Sequence, residues 1–179
     1  MNVSKWHKIF GVLVVGALAL MLLLGFNSSV PAAAETKKIV SPRVNYLAPD
    51  FVVKDLDGND ATLSQHLGKP VFINFFATWC GFCRLEMPYI EKLYNEVGDE
   101  VIFMVIDLME SQKVVEDFFA KEGLTVPVYL DAKGASATSY GVRGIPASFF
   151  IDADGVIQDI GLGALTEERL RQGLEKILK

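Results

Sequence analysis

Cysteine and histidine are both rare in this chain of 179 residues, which contains two of each. A structural zinc site normally needs four ligands, and the chain has no second cysteine pair that would complete one. Neither cysteine lies near the N-terminus, so the sequence predicts no attachment to a membrane through a lipid-modified N-terminal cysteine. Internal repeats and low-complexity tracts are also absent, which excludes repeat architectures.

Basic residues are outnumbered and do not cluster. The chain has 17 lysines and arginines against 22 aspartates and glutamates, a formal net charge of −5. Residues 1–26 hold two lysines and no acidic residue, which leaves the rest of the chain at about −7. Because proteins that bind nucleic acid need a basic surface, the sequence predicts no nucleic-acid partner.

One long apolar run is present at residues 9–26, and Lys5 and Lys8 precede it. A run of about 18 residues can just cross a bilayer, and basic residues before it favour an N-terminus in the cytoplasm. The alternative is a cleaved signal peptide, whose apolar core usually spans about 7–15 residues and is followed by small residues. Cleavage near Ala34 fits that pattern, whereas the length of the run favours an uncleaved anchor.

Three regions are predicted from these features. Residues 1–27 form a membrane anchor or signal peptide, and residues 28–47, rich in small, polar and proline residues, form a linker. Residues 48–179 have the normal size of one domain with one core. The predicted location is the cell membrane, with a single span and the domain on the extracytoplasmic face. Secretion after signal cleavage is the alternative.

Strand and helix patterns alternate along the domain and indicate an α/β sheet with helices on both faces. Strands are predicted at 51–56, 61–62, 71–76, 101–106, 127–130, 148–151 and 156–160. Helices are predicted to begin at Thr62, after the cysteines, near Ser111 and at Thr166. Pro88 should kink the helix that follows the cysteines. The helix near Ser111 should bury Val114, Val115, Phe118 and Phe119.

The two cysteines form a Cys-x-x-Cys motif, Trp79-Cys80-Gly81-Phe82-Cys83, where the apolar strand 71–76 turns into a helix. A pair in this position can cycle between dithiol and disulfide. The positive end of the helix dipole would stabilise a Cys80 thiolate, and Cys83 would be close enough to attack a mixed disulfide. A zinc site and an inert buried pair are the alternatives, and the spacing and placement favour a redox pair.

Two segments carry a resemblance to a known family. They are Asn-Phe-Phe-Ala-Thr-Trp-Cys-Gly-Phe-Cys at 74–83 and Tyr-Gly-Val-Arg-Gly-Ile-Pro at 140–146, and they resemble the thioredoxin superfamily. Within this superfamily, the chain is most similar to the membrane-tethered TlpA/ResA-like branch. Three features support this placement: the apolar N-terminal run, the hairpin before the core, and the extra helix and strand over 111–130. The resemblance implies a thioredoxin-like fold, with a central mixed sheet flanked by helices, an N-terminal β-hairpin and a central helix–strand insertion.

The resemblance also implies roles for five residues. Cys80 would be the exposed nucleophile and Cys83 the resolving thiol, with Trp79 packed beside the pair. The Ile145–Pro146 peptide bond would be cis, which places Pro146 opposite the disulfide. The backbone of Ile145 would then pair with an extended segment of the substrate.

Glu86 is a further candidate, because it follows Cys83 by three residues and lies on the same helix face. ResA-like proteins have a glutamate at the matching position. A partly buried carboxylate there would raise the pKa of the thiols and could accept the proton of the resolving thiol. The alternative is an ordinary surface glutamate. Asn74 stands where cytosolic thioredoxins usually have a buried aspartate, so Glu86 is the nearest source of acid–base assistance.

The predicted function is that of an enzyme, an extracytoplasmic thiol–disulfide oxidoreductase that reduces disulfides in exported proteins and needs no cofactor or metal. By resemblance, apocytochrome c is the leading substrate class, which implies a place in cytochrome c maturation. A membrane electron donor of the CcdA type would re-reduce the enzyme.

An oxidase of the same fold is the nearest alternative. Thioredoxins have Gly-Pro where this chain has Gly81-Phe82, and an extra N–H donor from Phe82 toward the thiolate would make the protein more oxidising.

Two more distant alternatives are disfavoured by residue types. A peroxiredoxin needs Pro-x-x-x-Thr-x-x-Cys, and Ile73 and Ala77 occupy the corresponding positions. A copper-binding assembly factor of the Sco type needs three residues between its cysteines and a histidine downstream. Here two residues separate the cysteines, and both His7 and His66 precede them.

Overall fold

The computed structural model of the chain describes residues 39–178, so the predicted anchor and most of the predicted linker lie outside the described residues. The described part contains one seven-stranded mixed sheet with the order β2-β1-β5-β4-β3-β6-β7. Its strands are β1 (Val52–Asp55), β2 (Asp60–Thr62), β3 (Val71–Phe76), β4 (Ile102–Leu108), β5 (Val128–Asp131), β6 (Ala147–Ile151) and β7 (Ile157–Leu162). Its helices are α1 (Gly81–Val97), α2 (Gln112–Glu122), α3 (Ala135–Ser139) and α4 (Glu167–Ile177), with a 3₁₀ turn at Ser64–His66.

The central strand β3 is buried along its whole length, as its continuous apolar sequence predicts. It runs parallel to β4 on one side and antiparallel to β6 on the other. Because side chains alternate along a strand, Phe72 and Phe76 pack into the core on one face, while Ile73 and Phe75 pack into the core on the other. The two cores hold β3 in place, and its C-terminal end carries the cysteine motif.

Helix α1 follows the cysteine motif and ends at Gly98, as predicted. Met87, Ile90 and Leu93 recur at helical spacing and are buried against the sheet. The helix is continuous through Pro88. Its first turn is therefore anchored by a buried apolar stripe that begins one turn beyond the second cysteine.

Helix α2 buries a narrower stripe than the sequence predicts. Val115 and Phe119 are buried at a spacing of four residues, and Phe118 packs at the edge of the same core. The prediction that Val114 points inward is wrong, because this side chain is 44% exposed. Successive helical residues differ by about 100° in direction, and the Val115–Phe119 stripe turns Val114 toward solvent.

The end of the predicted linker belongs to the folded domain. The Asn45 N–H donates to the carbonyl of Ile157 (2.8 Å), and the Ile157 N–H donates to the carbonyl of Tyr46 (2.9 Å). Residues 39–47, the last part of the predicted linker, are therefore attached to the folded domain. These are backbone contacts to the edge strand β7, and backbone groups carry no sequence pattern that would have predicted them.

All seven predicted strands are present, whereas the helix predicted to begin at Thr62 is only the 3₁₀ turn Ser64–His66, and helix α3 was not predicted. The hairpin of β1 and β2 is antiparallel, and β6 and β7 form the second hairpin. Thr62 and Gln65 form a reciprocal capping box, in which each backbone N–H donates to the other residue's side chain. Helix α2 and strand β5 supply the helix–strand insertion. Among residues 39–178, no helix is both long and apolar enough to cross a membrane.

Gly173 of α4 packs directly against the ring of Phe150 in β6, and Gly173→Ala should destabilise the domain. A Cβ at this position would overlap Cε1 and Cζ of Phe150, a ring with no exposed surface. Overpacking of this kind costs about 1–3 kcal/mol, and it outweighs the gain of about 1 kcal/mol in helix propensity. Urea unfolding measures the loss, with Gln172→Ala on the exposed side of α4 as the control. Equal stability of Gly173→Ala and wild type would contradict this packing.

Candidate active site

The cysteine motif is built by a turn and the first residues of α1. After β3 the Cys80 N–H donates to the carbonyl of Ala77 (3.1 Å), and this turn places Cys80 at the N-cap of the helix. The Cys83 N–H in turn donates to Sγ of Cys80 (3.1 Å). The two cysteines form a disulfide with a Cα–Cα distance of 5.2 Å. The N-cap position therefore directs both a backbone donor and the positive end of the helix dipole at Cys80.

The two cysteines differ only slightly in accessibility. Cys80 is 6% exposed and Cys83 has no exposed surface, so Cys80 is the accessible member of the pair but is less open than predicted. Phe82 between them is 67% exposed. Within the described residues, the backbone donor to Sγ of Cys80 is the N–H of Cys83, not the N–H of Phe82 that the sequence analysis suggested.

The second predicted segment faces the disulfide. The Ile145–Pro146 peptide bond is cis, and Sγ of Cys80 lies 3.8 Å from the carbonyl oxygen of Ile145. A groove of about 570 Å³ continues from this loop and is lined by Arg143, Ile145 and Pro146 among others. Trp79 is 72% exposed, so most of its ring surface is open to a partner. The fold thus brings together residues separated by about 65 positions in the sequence.

Glu86 is buried, not on the surface. It is 1% exposed, and its carboxylate accepts hydrogen bonds from Nδ2 of Asn74 (2.7 Å) and from the N–H of Leu165 (2.8 Å). Burial raises the pKa of Glu86 to about 7, against the lowering effect of the two hydrogen bonds. Near neutral pH this carboxyl group can therefore both accept and release a proton.

Asn74 connects Glu86 to the sheet. It is fully buried in β3, opposite Ser148 in β6, and its Nδ2 donates to Oγ of Ser148 (3.0 Å) as well as to Glu86. Among the described residues, its Oδ1 has no hydrogen-bond partner. Sequence reasoning missed Ser148, whose signal was a polar residue inside an apolar strand.

A carboxylate from the loop after β4 reaches the turn that precedes the cysteine motif, and the sequence did not reveal it. The N–H and Oγ1 of Thr78 donate to the carboxylate of Glu110 (2.5 and 2.7 Å). The N–H of Glu110 donates to Oδ1 of Asp107 (3.0 Å), a residue with no exposed surface. Burial, reinforced by the nearby carboxylates of Glu110 and Asp131, raises the pKa of Asp107 to about 7.

The described residues contain no group of three or more His, Cys, Asp or Glu side chains placed to hold a metal ion. The chemistry that the site itself displays is that of the Cys80–Cys83 pair and of the buried carboxyl groups of Glu86 and Asp107. A redox-active disulfide at the start of a helix, opposite a cis-proline and on a mixed sheet of this order, defines a thioredoxin-fold thiol–disulfide oxidoreductase.

Comparison with known proteins identifies the family. The profile of the Redoxin family matches residues 43–178, and the chain belongs to this family and to its ResA-like thiol–disulfide oxidoreductases. Thiol-disulfide oxidoreductase ResA of Geobacillus thermodenitrificans is 36% identical over 163 residues, which cover 89% of this chain and 92% of the relative. Thioredoxin-like protein YneN of Bacillus subtilis is 35% identical over 164 residues, or 90% and 96%. The crystal structure of StoA from Bacillus subtilis has a TM-score of 0.61 at 30% identity, covering 70% of this chain and 96% of StoA.

The protein is therefore an enzyme that exchanges thiols and disulfides, and its substrates are protein thiols and disulfides. The Cys80–Cys83 disulfide supplies the reacting sulfurs, and the relatives of the chain are thiol–disulfide oxidoreductases.

Proposed function

We propose that the enzyme works as a reductase on the extracytoplasmic side of the membrane, and that disulfides in exported proteins are its substrates. The observation that carries the direction is the buried carboxyl group of Glu86, one helical turn beyond Cys83. A carboxylate beside the thiols disfavours their thiolate forms and so raises their pKa values. A reduced form that is less stabilised as thiolate gives a lower potential, which favours donation of electrons to a substrate.

The proposed reaction uses the two cysteines in turn. The Cys80 thiolate attacks one sulfur of the substrate disulfide, a Cys80–substrate disulfide forms, and the other substrate sulfur leaves as a thiolate that takes up a proton. Glu86 then accepts the proton of the Cys83 thiol, and the resulting thiolate attacks Sγ of Cys80. The second substrate sulfur leaves, the Cys80–Cys83 disulfide closes, and two electrons have passed to the substrate.

Three further residues are proposed to hold the substrate beside Cys80. The backbone of Ile145 would pair with an extended substrate segment, since its carbonyl oxygen lies 3.8 Å from Sγ of Cys80. Pro146 would shape the floor of that contact, and the open ring of Trp79 would cover the substrate from the other side. These contacts involve backbone and apolar surface, and they suit an unfolded cysteine-containing segment.

The proposed setting follows from the N-terminal sequence. Residues 1–27 would hold the enzyme to the membrane, with the domain on the extracytoplasmic face, or would be removed as a signal peptide. Apocytochrome c is the proposed substrate, as the resemblance to ResA-like proteins implies, and relatives named ResA belong to the same family as this chain. Its haem-site cysteines must be reduced before haem is attached. A membrane carrier of the CcdA type would return two electrons to the Cys80–Cys83 disulfide.

An oxidase is the second candidate, and one observation favours it. The Cys83 N–H and the N-terminus of α1 are both directed at Sγ of Cys80, and both stabilise a thiolate. A reduction potential of about −270 mV, as in thioredoxin, would support the reductase. A potential of about −120 mV would support the oxidase.

Partner trapping tests the proposed function. In Cys83→Ser, Cys80 can still form the mixed disulfide, but the resolving step is lost, so substrates should accumulate as adducts. We expect adducts with exported proteins, apocytochrome c among them, that disappear on reduction. The control is Cys80→Ser combined with Cys83→Ser, which should trap nothing. Absence of thiol-dependent adducts from native membranes would refute the proposal.

A further inference from the structure

One carboxylate holds the turn that presents Cys80. Glu110 accepts hydrogen bonds from both the N–H and Oγ1 of Thr78, the second residue of the turn 77–80. Hydrogen bonds to an ionised acceptor are roughly twice as strong as neutral ones. The position of Cys80 therefore depends on a residue that comes from the end of another strand, 32 positions along the chain.

The backbone at Glu110 is held in place by hydrogen bonds to buried neighbours. Its N–H donates to the buried carboxyl group of Asp107, and the N–H of Met109 donates to the carbonyl of Asp131 (3.2 Å). Met109 has a φ of 64°, a left-handed conformation that non-glycine residues adopt only at a cost. Such backbone strain persists where surrounding contacts impose it, and it is concentrated at functional sites. Here the strained turn directs Glu110 toward Thr78.

The same kind of contact occurs elsewhere in the domain, at a distance from the disulfide. The carboxylate of Glu91 accepts hydrogen bonds from the N–H of Thr125 (2.8 Å) and from its Oγ1 (2.5 Å). Glu91 lies eleven residues beyond Cys80 along α1, or about 16 Å at the rise of an α-helix. Glu91 also accepts hydrogen bonds from the N–H of Val126 (2.9 Å) and from Nδ2 of Asn95 (3.1 Å). This contact stabilises a loop without touching the cysteine motif, and it provides a control for loss of stability alone.

We propose that Glu110 is a positioning residue for Cys80, acting through Thr78, and that Asp107 holds Glu110 in place. Thiol–disulfide exchange needs the attacking sulfur held in line with the disulfide of the substrate, and small displacements of a reacting atom cost rate. The proposal rests on the proposed function only in taking Cys80 as the attacking thiol.

The test compares variants of the reduced enzyme in reaction with a synthetic peptide disulfide. Thr78→Val and Glu110→Gln should each lower the second-order rate constant about three- to tenfold, at a pH well above the pKa of the thiol, where thiolate is not limiting. Thr78→Ser keeps the hydroxyl and should react within about twofold of wild type. The double variant should be no slower than the slower single variant, because both changes remove the same contact.

The control variants are Glu91→Gln and Thr125→Val. Both should lose stability to urea to a similar extent as the Thr78 and Glu110 variants, yet react with the peptide within about twofold of wild type. The proposal is overturned if Thr78→Val and Glu110→Gln react like wild type, or if the control variants slow the reaction equally. This comparison is made on purified enzyme and a test peptide, so failure of partner trapping in membranes would refute the proposed function without altering its outcome.

Discussion

Glu86→Gln is expected to slow the resolving step by about 10²–10⁴-fold near pH 7, because the variant loses a general base poised at the working pH. The pKa of Glu86 is about 7, so a large fraction of wild-type molecules has an ionised carboxylate ready to accept the Cys83 proton. The measurement is the decay of a preformed mixed disulfide between Cys80 and a peptide thiol, followed in a single turnover from pH 5 to pH 9.

The same variant should leave the first step nearly intact. Above pH 7, where wild-type Glu86 is mostly ionised, loss of the carboxylate removes a negative charge near the thiols, which lowers the pKa of Cys80 and increases the thiolate fraction. Attack on a peptide disulfide should therefore be unchanged below pH 7 and unchanged or faster between pH 7 and pH 9, while resolution is slow. If the two steps keep their wild-type rates and pH profiles, Glu86 has no part in the proton transfer.

Glu86 should also leave a signature in stability. Its pKa is raised in the folded state from 4.5 to about 7, so the folded protein binds this proton more tightly than the unfolded chain does. The stabilisation is present at low pH and is lost as the pH rises through 7, an effect of about 2–3 kcal/mol between pH 5 and pH 8. The pKa of Asp107 is raised in the same direction, so this residue adds to the loss of stability. Urea unfolding of oxidised Glu86→Gln should show a smaller fall over this range than wild type.

The features that the sequence predicted are those encoded by nearby residues. The cysteine pair, the apolar strand before it and the helix after it depend on spacing within about 25 residues, and local patterns report them well. Glu86 was found for the same reason, since three residues separate it from Cys83 along one helix. Whether Glu86 is buried could not be predicted, because a single glutamate in a helix does not indicate whether it faces the core or the solvent.

The features that the sequence missed depend on contacts between distant elements. The backbone of Leu165 meets Glu86 across 79 positions, and Thr78 meets Glu110 across 32. No local pattern encodes these pairs, because they arise from strand order and register. The docking of residues 39–47 on β7 was missed for a similar reason, since its bonds are made by backbone groups that every residue has.

Asn74 belongs to the active site because of the register between β3 and β6, which the sequence does not show. In the sequence, Asn74 is notable only because it stands where cytosolic thioredoxins usually have a buried aspartate. In the structure, its amide is the donor that joins Glu86 to Ser148 across β3 and β6. An amide can donate to a carboxylate at any pH, whereas a carboxylate in its place would have to be protonated to do so. The asparagine therefore allows Glu86 to ionise within a buried site.

Asn74→Asp should for this reason make stability strongly dependent on pH. The change places a second buried carboxyl group at hydrogen-bond distance from Glu86, and two such groups cannot both ionise without strong repulsion. At pH 5 the pair can share a proton, and stability should lie within about 2 kcal/mol of wild type. Between pH 5 and pH 8 the variant should lose at least about 3 kcal/mol more than wild type, because the second proton is held far above its ordinary pKa.

Urea unfolding of the oxidised proteins at both pH values measures this difference. Ser148→Ala is the matched control, because it removes the other partner of the Asn74 amide without adding a charge. It should cost about 1 kcal/mol at both pH values and keep the pH dependence of wild type. If Asn74→Asp also follows the wild-type pH dependence, the two carboxyl groups do not share one buried site, and the amide of Asn74 is not what permits Glu86 to ionise there.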